Sequence, residues 1–170
     1  MGMVTYLVRV SSNQLNEYLS VNGNIDNLEE ELFSKTQEEC SLDLEKSWDA
    51  LQYILSGRSV MNESNIKNSI LSNVVIGQEV LNPELDMGYG PALFITHDIV
   101  RNISKELESI TLDDVIGRID LKELNDKEIY PGFWNDEEDI KEFISETFTE
   151  TKIFYELAGK NDEAVISFTC

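Results

Sequence analysis

Three stretches of this chain carry side chains of the kind that hold ligands. In the first, Trp48, Gln52 and Leu55 recur at i, i+4 and i+7, one face of a helix, while Asp49 and Tyr53 form a neighbouring i, i+4 pair. As a pocket wall, that face offers an aromatic floor with an amide or a carboxylate to orient a ligand. As core, it buries the indole and leaves a polar rim. The second is Gly88-Tyr89-Gly90-Pro91, preceded by Asp86. It could turn backbone N–H groups toward an anion, or be a turn whose glycines supply a backbone angle other residues avoid. The third, Tyr130-Pro131-Gly132-Phe133-Trp134, sets aromatics beside backbone-shaping residues. Such a loop either anchors a partner or staples the chain to the helix that follows. The candidate pocket or interaction residues are therefore Trp48, Asp49, Gln52, Tyr53, Asp86, Tyr89, Tyr130 and Trp134.

No catalytic set accompanies them. His97 is the sole histidine, so multi-histidine metal sites are excluded and a Ser-His-Asp triad has no support. The chain has no P-loop, no Gly-x-Ser-x-Gly elbow and no complete Gly-x-Gly-x-x-Gly. With 33 acidic residues, no single carboxylate pair is specific enough to assign acid–base work. Neither a metal nor a cofactor is expected, and the sequence leans away from an enzyme.

Charge says more about partners. The net charge of −20 repels phosphate backbones and argues against nucleic acid. It reads either as a solubilising surface or as a face that docks a basic protein. The 41% hydrophobic and 27% charged shares fit a globular chain of one domain, residues 1–170. No apolar run is long enough for a membrane span, and the first residues lack the basic and apolar regions of a signal peptide. Two cysteines, Cys40 and Cys170, form no disulfide framework, so a reducing, cytoplasmic setting is expected.

The elements that must position these residues are legible in outline. Met3–Val10 reads as a strand, followed by a short helix capped at Ser11 or Ser12 with Leu15, Tyr18 and Leu19 inward. A turn at 21–24 precedes a helix over Asn27–Lys35, with Leu28, Leu32 and Phe33 on one side. The first candidate face belongs to a helix from Leu44 to Leu55, stopped by Gly57. Ser56–Asn73 is irregular, and Val74–Ile76 reads as a short strand. A strand over Ala92–Ile95 leads, through a Thr96 cap, into a helix over Asp98–Ser109 with Ile99, Ile103, Leu107 and Ile110 inward. Two short helices follow, capped by Thr111 and Asp120. The longest helix spans Asn135–Leu157, with Asn135 and Glu138 as a capping box and Ile140, Ile144, Thr147, Thr151, Phe154 and Ala158 as its inner stripe. A last strand, Ala164–Thr169, is expected beside the first. Helices and strands mix without βαβ alternation, which argues α+β with a small mixed or antiparallel sheet.

Taken in order, Met-Gly-Met-Val-Thr-Tyr-Leu-Val-Arg-Val at the start, Leu-Asp-Leu-Glu-Lys-Ser-Trp at Leu42–Trp48, Gly-Tyr-Gly-Pro-Ala at Gly88–Ala92, Ile-Tyr-Pro at Ile129–Pro131 and Trp134 resemble the YfbM-like bacterial proteins. That family is a domain of unknown function. The resemblance implies a compact α+β fold over the whole chain and carries no reaction and no catalytic residue. One departure stands out: the family pattern tends to have His where this chain has Gln52. The expectation for function is a cytoplasmic binding module with an acidic surface, in one version an inhibitor or immunity-type protein. The alternative is a small enzyme or ligand receptor with a cleft around Trp48, Gln52, Tyr89 and Tyr130.

Overall fold

The computed structural model describes residues 2–20, 25–61 and 69–170. Their strands are β1 (Thr5–Val10), β2 (Ser41–Asp43), β3 (Glu79–Val80), β4 (Leu93–Ile95) and β5 (Ala164–Thr169). They form one antiparallel sheet in the order β2-β1-β5-β4-β3. β1 and β5 pair along their whole length, Thr5 opposite Thr169 and Val10 opposite Ala164. The helices are α1 (Ser12–Leu19), α2 (Ile25–Lys35), α3 (Trp48–Ser56), α4 (His97–Ser109), α5 (Leu112–Gly117), α6 (Leu121–Asp126) and α7 (Glu137–Lys160), with a 3-10 turn at Ile70–Asn73. The chain is α+β.

Alternation along the central strands divides the core between the two faces of the sheet. Leu7, Ile95 and Val165 face α3, α4 and α7, together with Trp48, Val100, Ile103, Leu107, Ile144 and Phe148. Val8, Val10, Phe94, Ile166 and Phe168 face α1 and α2, through Leu15, Tyr18, Leu28 and Leu32, and the segment holding Leu81, Leu85 and Met87. The expected inner stripe of α7 is buried in full: Ile140, Ile144, Thr147, Thr151, Phe154 and Ala158.

Several expectations need correction. α3 begins at Trp48, not Leu44: Leu44 N–H bonds the Thr5 carbonyl at 2.9 Å, Glu45 takes a positive φ of 46°, and Ser47 Oγ bonds the Leu44 carbonyl at 2.7 Å. These contacts hold 44–47 as a turn after the edge strand β2. α7 is capped by Asp136, whose carboxylate accepts from the Glu138 and Asp139 N–H groups; no Asn135–Glu138 box forms. The full charge of Asp136 suits the positive end of the helix dipole. Val74–Ile76 is not a strand, because the Val75 N–H bonds the Gln52 side chain instead of a neighbouring strand. Leu19 is exposed, since Leu15 and Tyr18 already fill the inner face of a two-turn helix. The expected turn at 21–24 lies outside the described residues, as do residues 62–68 of the irregular segment.

Candidate functional site

α3 carries its polar groups into the interior. The Trp48 indole is buried, its Nε1 donates to the Met3 carbonyl at 3.3 Å, and its ring stacks on Tyr130 with centroids 5.2 Å apart. Tyr130 in turn accepts the Met3 N–H on its hydroxyl at 2.8 Å. The first and third stretches therefore meet, and the segment leading into β1 is held between them.

Asp49 is fully buried, and its carboxyl oxygens are met by uncharged donors. Its carboxylate accepts from Ser59 Oγ at 3.0 Å, the Val60 N–H at 2.6 Å and the Tyr130 N–H at 3.0 Å. Such donors replace the water a buried carboxylate loses. Gln52, also fully buried, spends its amide similarly: Nε2 donates to Ser56 Oγ at 2.8 Å and the Leu71 carbonyl at 3.0 Å, and Oε1 accepts from the Val75 N–H at 3.1 Å. The amide both donates and accepts, holding the 71–75 backbone against α3.

Tyr53 has a different neighbourhood. Its hydroxyl donates to Glu123 of α6 and accepts from the Lys127 ammonium, which lies 4.9 Å from the ring centre. The Tyr53 hydroxyl is pushed above its ordinary pKa by desolvation first and by Glu123 second, while the hydrogen bond from Tyr53 helps hold Glu123 below its own. The cluster joins α3 to α6 at the surface.

The second stretch packs elsewhere. Asp86 Oδ1 accepts from the Gly88 N–H at 2.9 Å and the Gly90 N–H at 3.3 Å, closing a turn. Tyr89 donates its N–H to the Thr169 carbonyl at 3.2 Å, and its side chain is 58% exposed. Gly88 has φ +119°, and a Cβ there would sit 3.3 Å from the Cys170 Cα, so the turn needs glycine for both angle and approach. Its neighbour Met87 belongs to the core of the opposite sheet face. Among the described residues, no hydrogen bond or ring contact joins Asp86 or Tyr89 to α3 or to the aromatic loop. The glycines therefore shape a turn against β5, apart from the other two stretches.

The aromatic loop is fixed from within. Trp134 donates Nε1 to the Ile129 carbonyl at 3.0 Å, and Gly132 N–H bonds the same carbonyl at 2.7 Å. Asn125, near the end of α6, pairs with the Trp134 backbone as a strand would, accepting from its N–H and donating to its carbonyl, both at 2.8 Å. Asn125, Ser59 and Met3 were not among the sequence candidates. Asn125 and Met3 act on or through backbone atoms, which leave no compositional trace, and Ser59 is one serine among many until the fold brings it to Asp49.

Beside this loop opens a groove of about 420 Å³. Pro131, Phe133, Trp134, Ile140 and Phe143 supply its apolar surface. Glu45, Asp136 and Asp139 bring carboxylates to it, against the single ammonium of Lys46. Phe133 is 67% exposed, the most exposed large hydrophobic among the described residues. Of the expected candidates, Trp134 lines this groove, while Trp48, Asp49 and Tyr130 support its loop from behind. Among the described residues, no group of three or more His, Cys, Asp or Glu is placed to hold a metal ion, and no helix is long and apolar enough to cross a membrane.

Comparison with known proteins agrees with this architecture. The sequence profile of the family described as "Domain of unknown function (DUF1877)" matches residues 1–168. Protein YfbM of Escherichia coli (strain K12) is 31% identical over 140 residues, covering 81% of this chain and 78% of that protein. A crystal structure described as that of a protein of unknown function, YfbM from Escherichia coli, aligns with a TM-score of 0.73 at 22% identity, over 98% of this chain and 99% of that chain.

Proposed function

The chain belongs to the DUF1877 family, and from that footing we propose that it is a binding module whose aromatic groove receives a basic protein partner. One observation carries the reading. Phe133 stands exposed on a loop held by internal hydrogen bonds, at the edge of an apolar groove bordered by more carboxylates than ammonium groups. Aromatic side chains are favoured anchors of protein interfaces, and an ordered loop loses little freedom on binding. The net charge of −20 steers a basic partner toward the molecule. An inhibitor that covers a basic enzyme is one version. The setting in this proposal is the cytoplasm, in keeping with free thiols at Cys40 and Cys170.

The test is capture from a host lysate on immobilised protein at about 50 mM and about 500 mM salt, where screening differs strongly. The expected result is a basic protein retained by the wild type at low salt, released at high salt, and lost with Phe133→Ala. Retention of nothing at low salt, or equal retention by the variant, defeats the proposal.

A second reading, a small-ligand receptor or small enzyme, has one point in its favour: the volume of about 420 Å³ falls within the range of small-molecule sites. Thermal-shift screening separates the two, because a ligand specific to the groove raises the melting temperature of the wild type and not of Phe133→Ala.

A further inference from the structure

Resting on the docking reading above, we propose that the groove takes a short segment of the partner that carries arginine beside apolar residues. The apolar part of the requirement comes from Pro131, Phe133, Trp134, Ile140 and Phe143, which leave a surface that water solvates poorly. A volume of about 420 Å³ accommodates a few side chains of a docked segment.

The cationic part comes from the carboxylates. Among the described residues, the side chains of Glu45 and Asp139 make no hydrogen bond or ion pair, so both are open to an incoming cation. Asp136 commits one oxygen, Oδ1, to capping α7 at 2.9 and 3.2 Å. An acidic segment would meet all three carboxylates with only Lys46 to pair it.

Arginine fits better than lysine for two reasons. Its planar fork pairs with a carboxylate through two hydrogen bonds, and its flat face stacks on an aromatic ring such as that of Phe133. Lysine offers a point charge with a stronger hold on its water.

The probe is a capped hexapeptide alternating leucine and arginine, titrated into the full chain and followed by calorimetry. Peptides with lysine or glutamate at the arginine positions serve as controls. Saturable binding of the arginine peptide is expected, several-fold weaker with lysine and absent with glutamate. Phe133→Ala and Asp139→Asn should each weaken it about tenfold, with unfolding by urea checked to show that both variants remain folded. Absence of saturable binding, equal affinity for the glutamate peptide, or no loss in either folded variant overturns the inference. If the lysate partner is captured through Phe133 while the peptide fails to bind, the docking reading survives and the arginine specificity does not; if neither occurs, both fall.

Discussion

Asp49 shows how a carboxylate read as one that could orient a ligand can be wholly structural in its contacts. An aspartate in the first turn of a helix reads as a complement to the dipole. Here it holds Ser59, Val60 and Tyr130 through three donors, none of them charged. Truncation leaves those donors buried without acceptors, at about 1–3 kcal/mol each before relaxation. Asp49→Ala should therefore destabilise the chain by roughly 2–4 kcal/mol in urea unfolding, near the top of the usual range for one substitution. A loss under about 1 kcal/mol would mean the loop is held by other contacts. Spacing does not reveal this role, because two of the donors are backbone groups and one, the Tyr130 N–H, comes from a segment 81 residues away.

Tyr155 gives a pH prediction. It is fully buried in the core, its hydroxyl donates to the Val74 carbonyl at 2.6 Å, and burial pushes its pKa far above the ordinary value. The unfolded side chain titrates near about 10. The folded value is the higher one, so Tyr155 contributes its full share of stability below about pH 10 and loses it as pH rises toward the folded value. Tyr18 shifts in the same direction, through burial and then its hydrogen bond to Glu31. Denaturation midpoints measured from pH 8 to 11 should fall at the alkaline end. In Tyr155→Phe the fall should be shallower, on top of a loss of about 1 kcal/mol at neutral pH.

Among the elements, the long amphipathic ones were the readable ones. α4 and α7 follow from apolar spacing alone, because each buries one continuous stripe against the sheet. The edge strands β2 and β3 were not readable: they have three and two residues, too few for the alternation of Leu42 and Leu44 with acids to mark a strand apart from the helix that follows. The boundary of α3 was misjudged because Ser47 and Glu45 act through local backbone geometry, and hydrophobic spacing does not sense it. One unremarked residue limits how the β3–β4 pair meets the sheet. Gly77 lies where an added Cβ would come within 2.6 Å of the Phe94 backbone nitrogen and 2.9 Å of the Leu93 carbonyl carbon. Its N–H also bonds Ser167 Oγ of β5 at 2.9 Å. Backbone cannot yield as a side-chain tip does, so Gly77→Ala should cost about 1–3 kcal/mol or more. Thermal unfolding measures it; an unchanged melting temperature would show that the 77–80 segment shifts freely.

At the scale of the molecule, the α+β class and the pairing of the first and last strands could be read from the order of the elements. The separation of the glycine turn from the other two stretches could not, since nothing local says which sheet face a loop will cover. Charge gives a prediction with two opposite signs. Self-repulsion at −20 opposes the compact state and is screened by salt, whereas attraction to a basic partner is lost by the same screening. Raising salt from about 20 to about 500 mM should therefore raise the melting temperature while weakening capture of the partner. If capture is as strong at about 500 mM salt as at about 20 mM, the acidic surface is not what brings the partner in.

The placement of β5 has a consequence for how the chain is made. β1 has only the three-residue β2 beside it until β5 arrives, and Thr5 meets Thr169 across 164 residues of sequence. As translation proceeds, neither face of the sheet has its central strand until residues 164–169 have left the ribosome. A nascent chain stalled before that point would leave the β5 side of β1 unpaired, the state in which a chaperone would be expected to engage it.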